Sequence, residues 1–355
     1  MVDLGRRAAA QYAGARRRRQ PGRGHGPLAA HAGGMLSLPL TVPTMPAAAC
    51  RAELAIPVRP RDLNTFQSVF GGYVMQRVDA LATALVSDLS GLAAVTARLE
   101  RMTFRAGIAA FQRMRLTARG TRTFRTTMEV DVLVEGEDPV AGRRWAASHA
   151  ILTVVGLDPG GRPARLPVLI PRSAEEIRAH EAATARRAAR PPCHGPAWPL
   201  PAAVGAGETD RLSLERSARI VPNADAGTLG QASAGWVLAV ADELAAVTAS
   251  RHAGLPTVTA AVDGVSFARA LPVGDITLLR SYITAAFHTS MEVRVEVWRR
   301  GRYARAEEHV ADCTFAYVAL GADGRPAPVP PFAPAGAREE ALWRLAAERR
   351  AMRAG

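Results

Sequence analysis

Apolar residues recur at three- and four-residue steps in one long segment of the chain. Val74, Val78, Leu81 and Leu85 would share one face of a helix, and their spacing predicts that helix over about residues 72–87. After it, apolar side chains take every second position, as in the run of Met128, Val130, Val132 and Val134, which predicts strands with one buried face. The predicted strands cover residues 95–104, 113–119, 126–134 and 146–157.

The same pattern occurs a second time, shifted by 163 residues without a gap. Gly72 falls on Gly235 and Asp79 on Asp242, and a second helix is predicted over about residues 235–250. The register also superimposes Val95-Thr96-Ala97 on Val258-Thr259-Ala260, Phe104 on Phe267, Met128-Glu129-Val130 on Met291-Glu292-Val293, and Arg186-Arg187 on Arg349-Arg350. A gapless match of this extent indicates a duplicated domain.

Each copy therefore belongs to the α+β class. A helix that is apolar on most sides, followed by consecutive strands, favours an antiparallel sheet wrapped around that helix. Both copies end in a basic helix, and the first of these opens with a capping box formed by Ser173 and Glu176. The predicted domains are residues 51–190 and 211–355, joined by a linker rich in Pro, Gly and Ala over residues 191–210.

The net charge of +13 is concentrated at the start of the chain. Residues 1–50 hold seven arginines against the single acid Asp3 and show no periodicity, so we predict a disordered basic tail. An Arg-rich, acid-poor start is typical of an organelle transit peptide, which would place the protein in mitochondria or another organelle. The alternative is an overextended start codon, with true initiation at Met35 or Met45 and a cytoplasmic protein.

Composition also excludes several classes of function. The chain contains no lysine, which rules out Schiff-base and lysine-nucleophile chemistry. Its three cysteines form neither a CxxC pair nor a Cys/His cluster, so we expect no disulfide scaffold and no metal site. No stretch approaches 18 uncharged apolar residues, which disfavours a membrane span. No basic stripe interleaved with aromatic residues indicates a nucleic-acid partner.

Two carboxylates stand in the middle of the apolar helices. Asp79 and Asp242 are too far from the helix starts to act as N-caps, and apolar surroundings penalise their charge. Helix position alone favours a structural role. The preceding Gly71-Gly72 pair favours a ligand-binding or catalytic role instead, because glycines allow close approach of a ligand and a helix N-terminus offers free N–H donors. Such donors could polarise a carbonyl and hold a developing oxyanion.

These motifs together resemble the hot-dog acyl-CoA thioesterases. The resemblance rests on the Asn64 loop, the Phe70-Gly71-Gly72-Tyr73 turn, the helical Asp and the Val-Thr-Ala and Met-Glu-Val strands. The double-domain animal-type enzymes are most similar, especially to the second copy. The stretches that carry this likeness are Arg251-His252-Ala253-Gly254, Val258-Thr259-Ala260, Val273-Gly274-Asp275 and Thr289-Ser290-Met291-Glu292-Val293.

The resemblance implies an active site between the two domains, with an Asn from one loop and an Asp from the other domain's helix. Carried over by position, it pairs Asn64 with Asp242. The second copy has Gly227 where the first has Asn64, so Asp79, Gly227 and Gly235 would form a degenerate site. Asp242 would act as general base for water or as nucleophile, and Asn64 with the N–H groups near Gly72 would orient the reactants.

The resemblance also implies a partner and further contacts. The substrate would be a fatty acyl-CoA, no separate cofactor is expected, and the assembly would be a trimer of double hot-dogs. Candidate substrate-binding residues are Phe70, Gly71, Thr289, Ser290 and Arg325. Candidate arginines for the CoA phosphates, chosen by location after the sheets, are Arg162, Arg186, Arg325 and Arg349.

Three alternatives compete with this interpretation. A serine hydrolase is disfavoured because the segment Gly230 to Gly235 misses the GxSxG spacing by one residue. A hot-dog dehydratase needs a histidine beside the helical Asp, and neither helix has one there. A non-catalytic module that binds acyl-CoA or an acyl carrier would share the fold, but the retained Asn64 and Asp242 favour an enzyme.

Overall fold

Both predicted helices are present in the computed structural model, which describes residues 43–190, 211–223, 227 and 229–354. Each is followed by four antiparallel strands. In chain order the elements are β1 (Thr44–Pro46), β2 (Arg51–Pro57), α1 (Gly71–Ser90), β3 (Ala93–Phe104), β4 (Arg113–Thr123), β5 (Thr127–Asp138), β6 (Arg143–Leu157), β7 (Val168–Ile170), α2 (Ala174–Ala188), β8 (Glu215–Ile220), α3 (Ala234–Ala253), β9 (Thr257–Ser266), β10 (Ile276–Ala286), β11 (Ser290–Arg300), β12 (Glu308–Ala319) and α4 (Ala337–Ala354).

Ten of the strands form one continuous sheet in the order β2-β4-β5-β6-β3-β9-β12-β11-β10-β8. The two copies meet where β3 pairs antiparallel with β9, with Leu99 opposite Val265. Strands β2 and β8 lie at the two edges and escaped the prediction. Their side chains are mostly exposed or half-buried, so they lack the apolar alternation that marks a strand with one face in the core.

The central helices pack against each other through glycine. A Cβ on Gly72 would stand 2.9 Å from the Cα of Ala239, and a Cβ on Gly235 would stand 2.7 Å from the Cα of Gln76. No side chain fits at either position, so the repeated glycine is required for the backbones to approach. This contact places the first turn of each helix beside the middle of the other helix, where the carboxylates Asp79 and Asp242 lie.

The repeated Met-Glu-Val motif has two separate roles in the sheet. The apolar positions of β5 and β11 are fully buried, as their alternation predicts. The glutamate between them is buried as well and receives an arginine from the terminal helix of the same copy. Arg349 makes two hydrogen bonds to Glu292 at 2.9 and 2.6 Å, and Arg186 does the same to Glu129 at 3.1 and 2.5 Å. These paired bonds hold α2 and α4 on the sheet.

The prediction of a disordered tail over residues 1–50 is wrong for its last residues. Strand β1 pairs in parallel with β7, with Thr44 opposite Val168, and the Cys50 side chain is only 1% exposed. Three residues are too few to show a period, so the sequence carried no sign of this strand. Residues 1–42 and the predicted linker at 191–210 lie outside the described residues. In the described part of the chain, no helix combines the length and apolarity that a membrane crossing requires.

Candidate active site

The Asn64 side chain organises the loop that leads into α1. Its Oδ1 accepts hydrogen bonds from the backbone N–H of Phe66 at 2.9 Å and of Ser68 at 3.2 Å. The backbone closes the same turn, because the Asn64 N–H donates to the Ser68 carbonyl oxygen at 2.7 Å. Since Oδ1 is occupied by two donors, Nδ2 is the atom of this amide that remains to donate to a ligand.

Asn64 lies in a cleft at the seam between the two copies, with a volume of ≈ 770 Å³. The first copy contributes Asn64, Phe70 and Gly71 to its walls, and the second copy contributes Thr259 and Tyr317. The volume falls within the range of about 300–1,000 Å³ that is typical of small-molecule sites. The cleft is therefore large enough to hold a substrate, and neither copy could form it alone.

Asp242 lies directly behind this wall and is 0% exposed. Its Oδ1 accepts hydrogen bonds from the hydroxyls of Thr259 at 2.8 Å and Tyr317 at 2.6 Å. Oδ2 accepts no hydrogen bond of regular geometry, and it would be 3.0 Å from a Cβ placed on Gly71. Burial raises the pKa of Asp242 to about 6, against the lowering effect of the Tyr317, Thr259 and Gly72 donors. The carboxyl is thus mainly ionised at neutral pH, and one of its oxygens lacks a hydrogen bond of regular geometry.

The N-termini of the two central helices differ in a way that matters for anion binding. At α1 the N-cap residue is Phe70, and no side chain caps the helix. At α3 the N-cap is Ser233, whose Oγ accepts from the N–H of Trp236 at 3.1 Å. An uncapped helix start retains donors for a ligand, whereas a capped one has already used one of them. The donors at the start of α1 belong to the cleft that contains Asn64.

A second cleft of ≈ 780 Å³ lies at the related position, lined by Asp79 and Gly227. The Gly227 N–H donates to the Gln231 carbonyl oxygen at 2.6 Å, so the loop repeats the Asn64 turn without the side-chain amide. The Gly235 N–H donates to Asp79 Oδ2 at 2.8 Å. Burial raises the pKa of Asp79, opposed by the Thr96 hydroxyl and the Gly235 N–H. The two clefts are equal in size and differ in their polar groups.

The structure brings together only some of the residues predicted to bind substrate. Phe70 and Gly71 line the Asn64 cleft, whereas Thr289 precedes β11, Ser290 is the first residue of that strand, and neither lines a seam cleft. Arg325 sits on an exposed turn, with its side chain 85% exposed. Both Arg186 and Arg349 are engaged by the buried glutamates under α2 and α4, and their binding of CoA phosphates stays a prediction.

Tyr317 and Thr259 escaped the prediction of site residues. Thr259 belongs to the repeated Val-Thr-Ala triplet, so the repeat itself carried a signal for it. Tyr317 has Val154 at the related position of the first copy. The Tyr317 hydroxyl lies on a strand that faces the helical carboxylate, and the first copy has no hydroxyl at that position. Comparison of the two copies could have revealed this difference.

A continuous antiparallel sheet around two central helices, with clefts at the seam between the copies, defines a double hot-dog protein. Residues 66–142 and 229–305 each match the model of the thioesterase superfamily. An uncharacterised acyl-CoA thioester hydrolase of Zymomonas mobilis is 36% identical over 110 residues, which cover 31% of this chain and 71% of that protein. The chain therefore belongs to the thioesterase superfamily.

Two further comparisons extend over both copies. The cytosolic acyl coenzyme A thioester hydrolase of Mus musculus is 25% identical over 290 residues, which cover 78% of this chain and 76% of that protein. The crystal structure of an acyl-ACP thioesterase from Bacteroides thetaiotaomicron superposes with a TM-score of 0.50 at 11% identity, and the match covers 77% of this chain and 100% of that one. At this identity the structural match shows the fold alone, and it confirms the predicted tandem of hot-dog domains.

Proposed function

We propose that this chain hydrolyses acyl-CoA thioesters in the Asn64 cleft, with Asp242 as general base. The observation that carries the proposal is the state of the Asp242 carboxylate. One of its oxygens is held by the Thr259 and Tyr317 hydroxyls, and the other lacks a regular partner beside the uncapped start of α1. A fixed and mainly ionised carboxylate next to free N–H donors suits the activation of water against a carbonyl.

The chemistry follows from these positions. The amide nitrogen of Asn64 and the N–H groups at the start of α1 hold the thioester carbonyl oxygen and the attacking water. Asp242 takes a proton from that water as its oxygen bonds to the carbonyl carbon, and the helix N–H donors stabilise the resulting oxyanion. Collapse of the tetrahedral intermediate breaks the C–S bond, and the proton on Asp242 passes to the leaving thiolate. The products are a free fatty acid and CoA.

The Asp79 cleft lacks three of these features, and we propose that it does not turn over substrate. Gly227 provides no amide, Val154 provides no hydroxyl at the position of Tyr317, and Ser233 occupies a donor at the start of α3. The carboxylates themselves are alike, because each has one oxygen without a hydrogen bond of regular geometry, so the two clefts differ in the groups around them. Each chain would therefore contain one catalytic site, formed by the loop of the first copy and the helix of the second.

Thiol release from a panel of acyl-CoAs tests the proposal. Asp242→Asn keeps the size of the side chain and should lower kcat by about 100-fold or more, in line with the loss of a general base. Asp79→Asn is the matched control and should change kcat less than about 3-fold. Equal losses in the two variants would contradict a single catalytic site. Binding of acyl-CoA by the unmodified protein without thiol release above background would show a binding module instead.

Assembly and location extend the proposal. We propose that the chain forms a trimer of double hot-dogs that acts in fatty acid metabolism, and light scattering of the purified protein measures the assembly directly. For location we propose an organelle, such as the mitochondrion, if residues 1–50 direct transport, and otherwise the cytoplasm. A fluorescent protein fused after residue 50, compared with one fused to the whole chain, distinguishes these outcomes.

A further inference from the structure

A shallower groove continues from the Asn64 cleft across the surface of the first copy. Ser68, Ala106 and Gly107 line both cavities, so the two are continuous. The groove has a volume of ≈ 550 Å³, and Arg143 and Trp145 form its far wall. A long ligand whose reactive end lies beside Asn64 would extend along this groove.

Trp145 forms a fixed aromatic surface in that wall. Its indole Nε1–H donates to the Gly107 carbonyl oxygen at 3.1 Å. The ring packs directly on the backbone of β5, because a Cβ on Gly136 would stand only 2.3 Å from ring atoms of Trp145. The exposed Arg143 guanidinium lies over the ring, 5.3 Å from its centroid. A half-buried indole that is fixed on the backbone and covered only by an exposed, rotatable cation can stack with a nucleobase once that side chain turns toward a phosphate.

The charge of the walls also favours an anionic ligand. Arg105 lines the cleft, Arg143 lines the groove, and the walls of both include no carboxylate among the residues that the structure describes. In the described part of the chain, neither arginine has a carboxylate oxygen within 4.0 Å, although Asp138 lies opposite Arg143 across the β5–β6 hairpin and its pKa is lowered by backbone N–H donors and in part by that charge. In the Asp79 cleft, by contrast, the two arginines of the wall are balanced by two aspartates. Among the described lining residues, the Asn64 cleft and its groove thus carry an excess of positive charge, whereas the Asp79 cleft does not.

The second copy provides an internal comparison for the groove. Across the shift of 163 residues, Arg143 and Trp145 correspond to Ala306 and Glu308. Glu308 pairs there with Arg299 at 3.0 Å, so the related surface is acidic and already paired. The aromatic and basic wall therefore occurs in the copy that carries Asn64 and is replaced in the copy that carries Gly227.

We propose that this groove binds the nucleotide of the substrate's CoA, with adenine stacked on Trp145 and phosphate groups on Arg143 and Arg105. The inference rests on the proposed function, since it assumes that the acyl thioester lies beside Asn64. Guanidinium groups suit phosphate oxygens, and an indole suits a purine. Such a groove makes the enzyme selective for CoA thioesters over thioesters of a carrier protein, because the carrier's phosphopantetheine arm has no adenine nucleotide.

Steady-state kinetics with two matched substrates test this inference. One is an acyl-CoA, and the other is the same acyl group on pantetheine, which lacks the nucleotide. Trp145→Ala and Arg143→Ala should each raise KM for acyl-CoA about 10-fold, as expected for loss of one stacking or phosphate contact, with kcat nearly unchanged. KM for acyl-pantetheine should stay the same. Trp145→Phe retains an aromatic ring and should recover most of the affinity.

Arg144→Ala is the control, because it removes the same charge from the next residue, whose guanidinium is held by Glu137 at 3.1 Å. It should leave KM for acyl-CoA within about 2-fold of the original value, as expected for an exposed charge outside the groove. Loss of acyl-CoA affinity in Arg144→Ala equal to that in Arg143→Ala would overturn the inference. So would an equal effect of the groove variants on both substrates, or no effect on either.

Calorimetry with adenosine 3′,5′-bisphosphate separates this inference from the proposed function. The unmodified protein should bind this probe, and Trp145→Ala should weaken binding about 10-fold. If neither thioester is hydrolysed, the proposed function is wrong. The calorimetry still tests whether the groove binds a nucleotide. Trp145→Ala could weaken binding of the probe and yet leave KM for acyl-CoA unchanged. That result would mean that the groove binds a free nucleotide, and it would overturn the assignment of the groove to the substrate.

Discussion

Replacing Tyr317 with Phe removes the shortest hydrogen bond to the proposed catalytic carboxylate. The Tyr317 hydroxyl donates to Asp242 Oδ1 at 2.6 Å in a fully buried environment. That bond favours the ionised carboxylate and lowers its pKa against burial, which otherwise raises it. The variant therefore separates the effect of pKa from the presence of the base, because Asp242 itself remains in place.

The expected shift can be estimated from the strength of such a bond. A hydrogen bond to a charged group contributes about 1.5–3 kcal/mol, which corresponds to about 1–2 pKa units. The pKa of Asp242 should then rise from about 6 to about 7–8. A general base works only when deprotonated, so the rising limb of the pH profile should move to higher pH. At pH 7 the ionised fraction should fall from roughly nine-tenths to roughly a quarter for a pKa of about 7.5.

The assay is kcat/KM for an acyl-CoA between about pH 5 and pH 9, followed by the loss of thioester absorbance. The Tyr317→Phe enzyme should be about 4-fold less active at pH 7 and approach the activity of the unmodified enzyme near pH 9. Tyr282→Phe is the control, because Tyr282 is also buried and donates to a buried glutamate, Glu296, at 3.0 Å, but it does not line the Asn64 cleft. An unchanged midpoint in Tyr317→Phe, or an equal shift in Tyr282→Phe, would refute the reasoning.

Three further predictions concern stability and the second cleft. Asp242→Asn should stabilise the protein by up to about 3 kcal/mol at about pH 8 and have little effect at about pH 4. The reason is that burial raises the pKa of Asp242 in the folded state, so its ionisation costs stability only above the pKa of the unfolded chain. Urea unfolding measures this difference, and destabilisation at both pH values would contradict it. Arg349→Ala should lower the free energy of unfolding by about 3–5 kcal/mol without raising KM for acyl-CoA, because it leaves Glu292 buried and unpaired. Unchanged stability with a raised KM would instead support Arg349 as a phosphate ligand. Gly227→Asn should fold normally, because a Cβ at this position meets no described atom closer than 3.6 Å. It should not restore thiol release to the Asp242→Asn protein, because Val154 and the side-chain cap of α3 are unchanged. Measurable turnover in the double variant would show that the Asp79 cleft lacked only the amide.

The duplicated organisation and the main secondary structure could be predicted from sequence because both depend on local periodicity. The predicted helix over residues 72–87 became Gly71–Ser90, and the strands extend the predicted ones by a few residues at their ends. The missed strands were β1, β2, β7 and β8, which are short or lie at sheet edges. Edge strands contribute little to the core, so their sequences are not constrained to alternate.

Some residues of the candidate site could be predicted from the sequence, and the others depend on the tertiary structure. The two helical aspartates stood out in the sequence, since a charge in an apolar helix is unusual, and the resemblance paired Asn64 with Asp242. Their surroundings were decided only by the tertiary structure. Tyr317 reaches Asp242 across 75 residues of chain, and the wall formed by Trp145 depends on the Gly107 carbonyl 38 residues away. Periodicity reports which face of an element is buried, whereas a hydrogen bond depends on which distant side chain the folded sheet places opposite it.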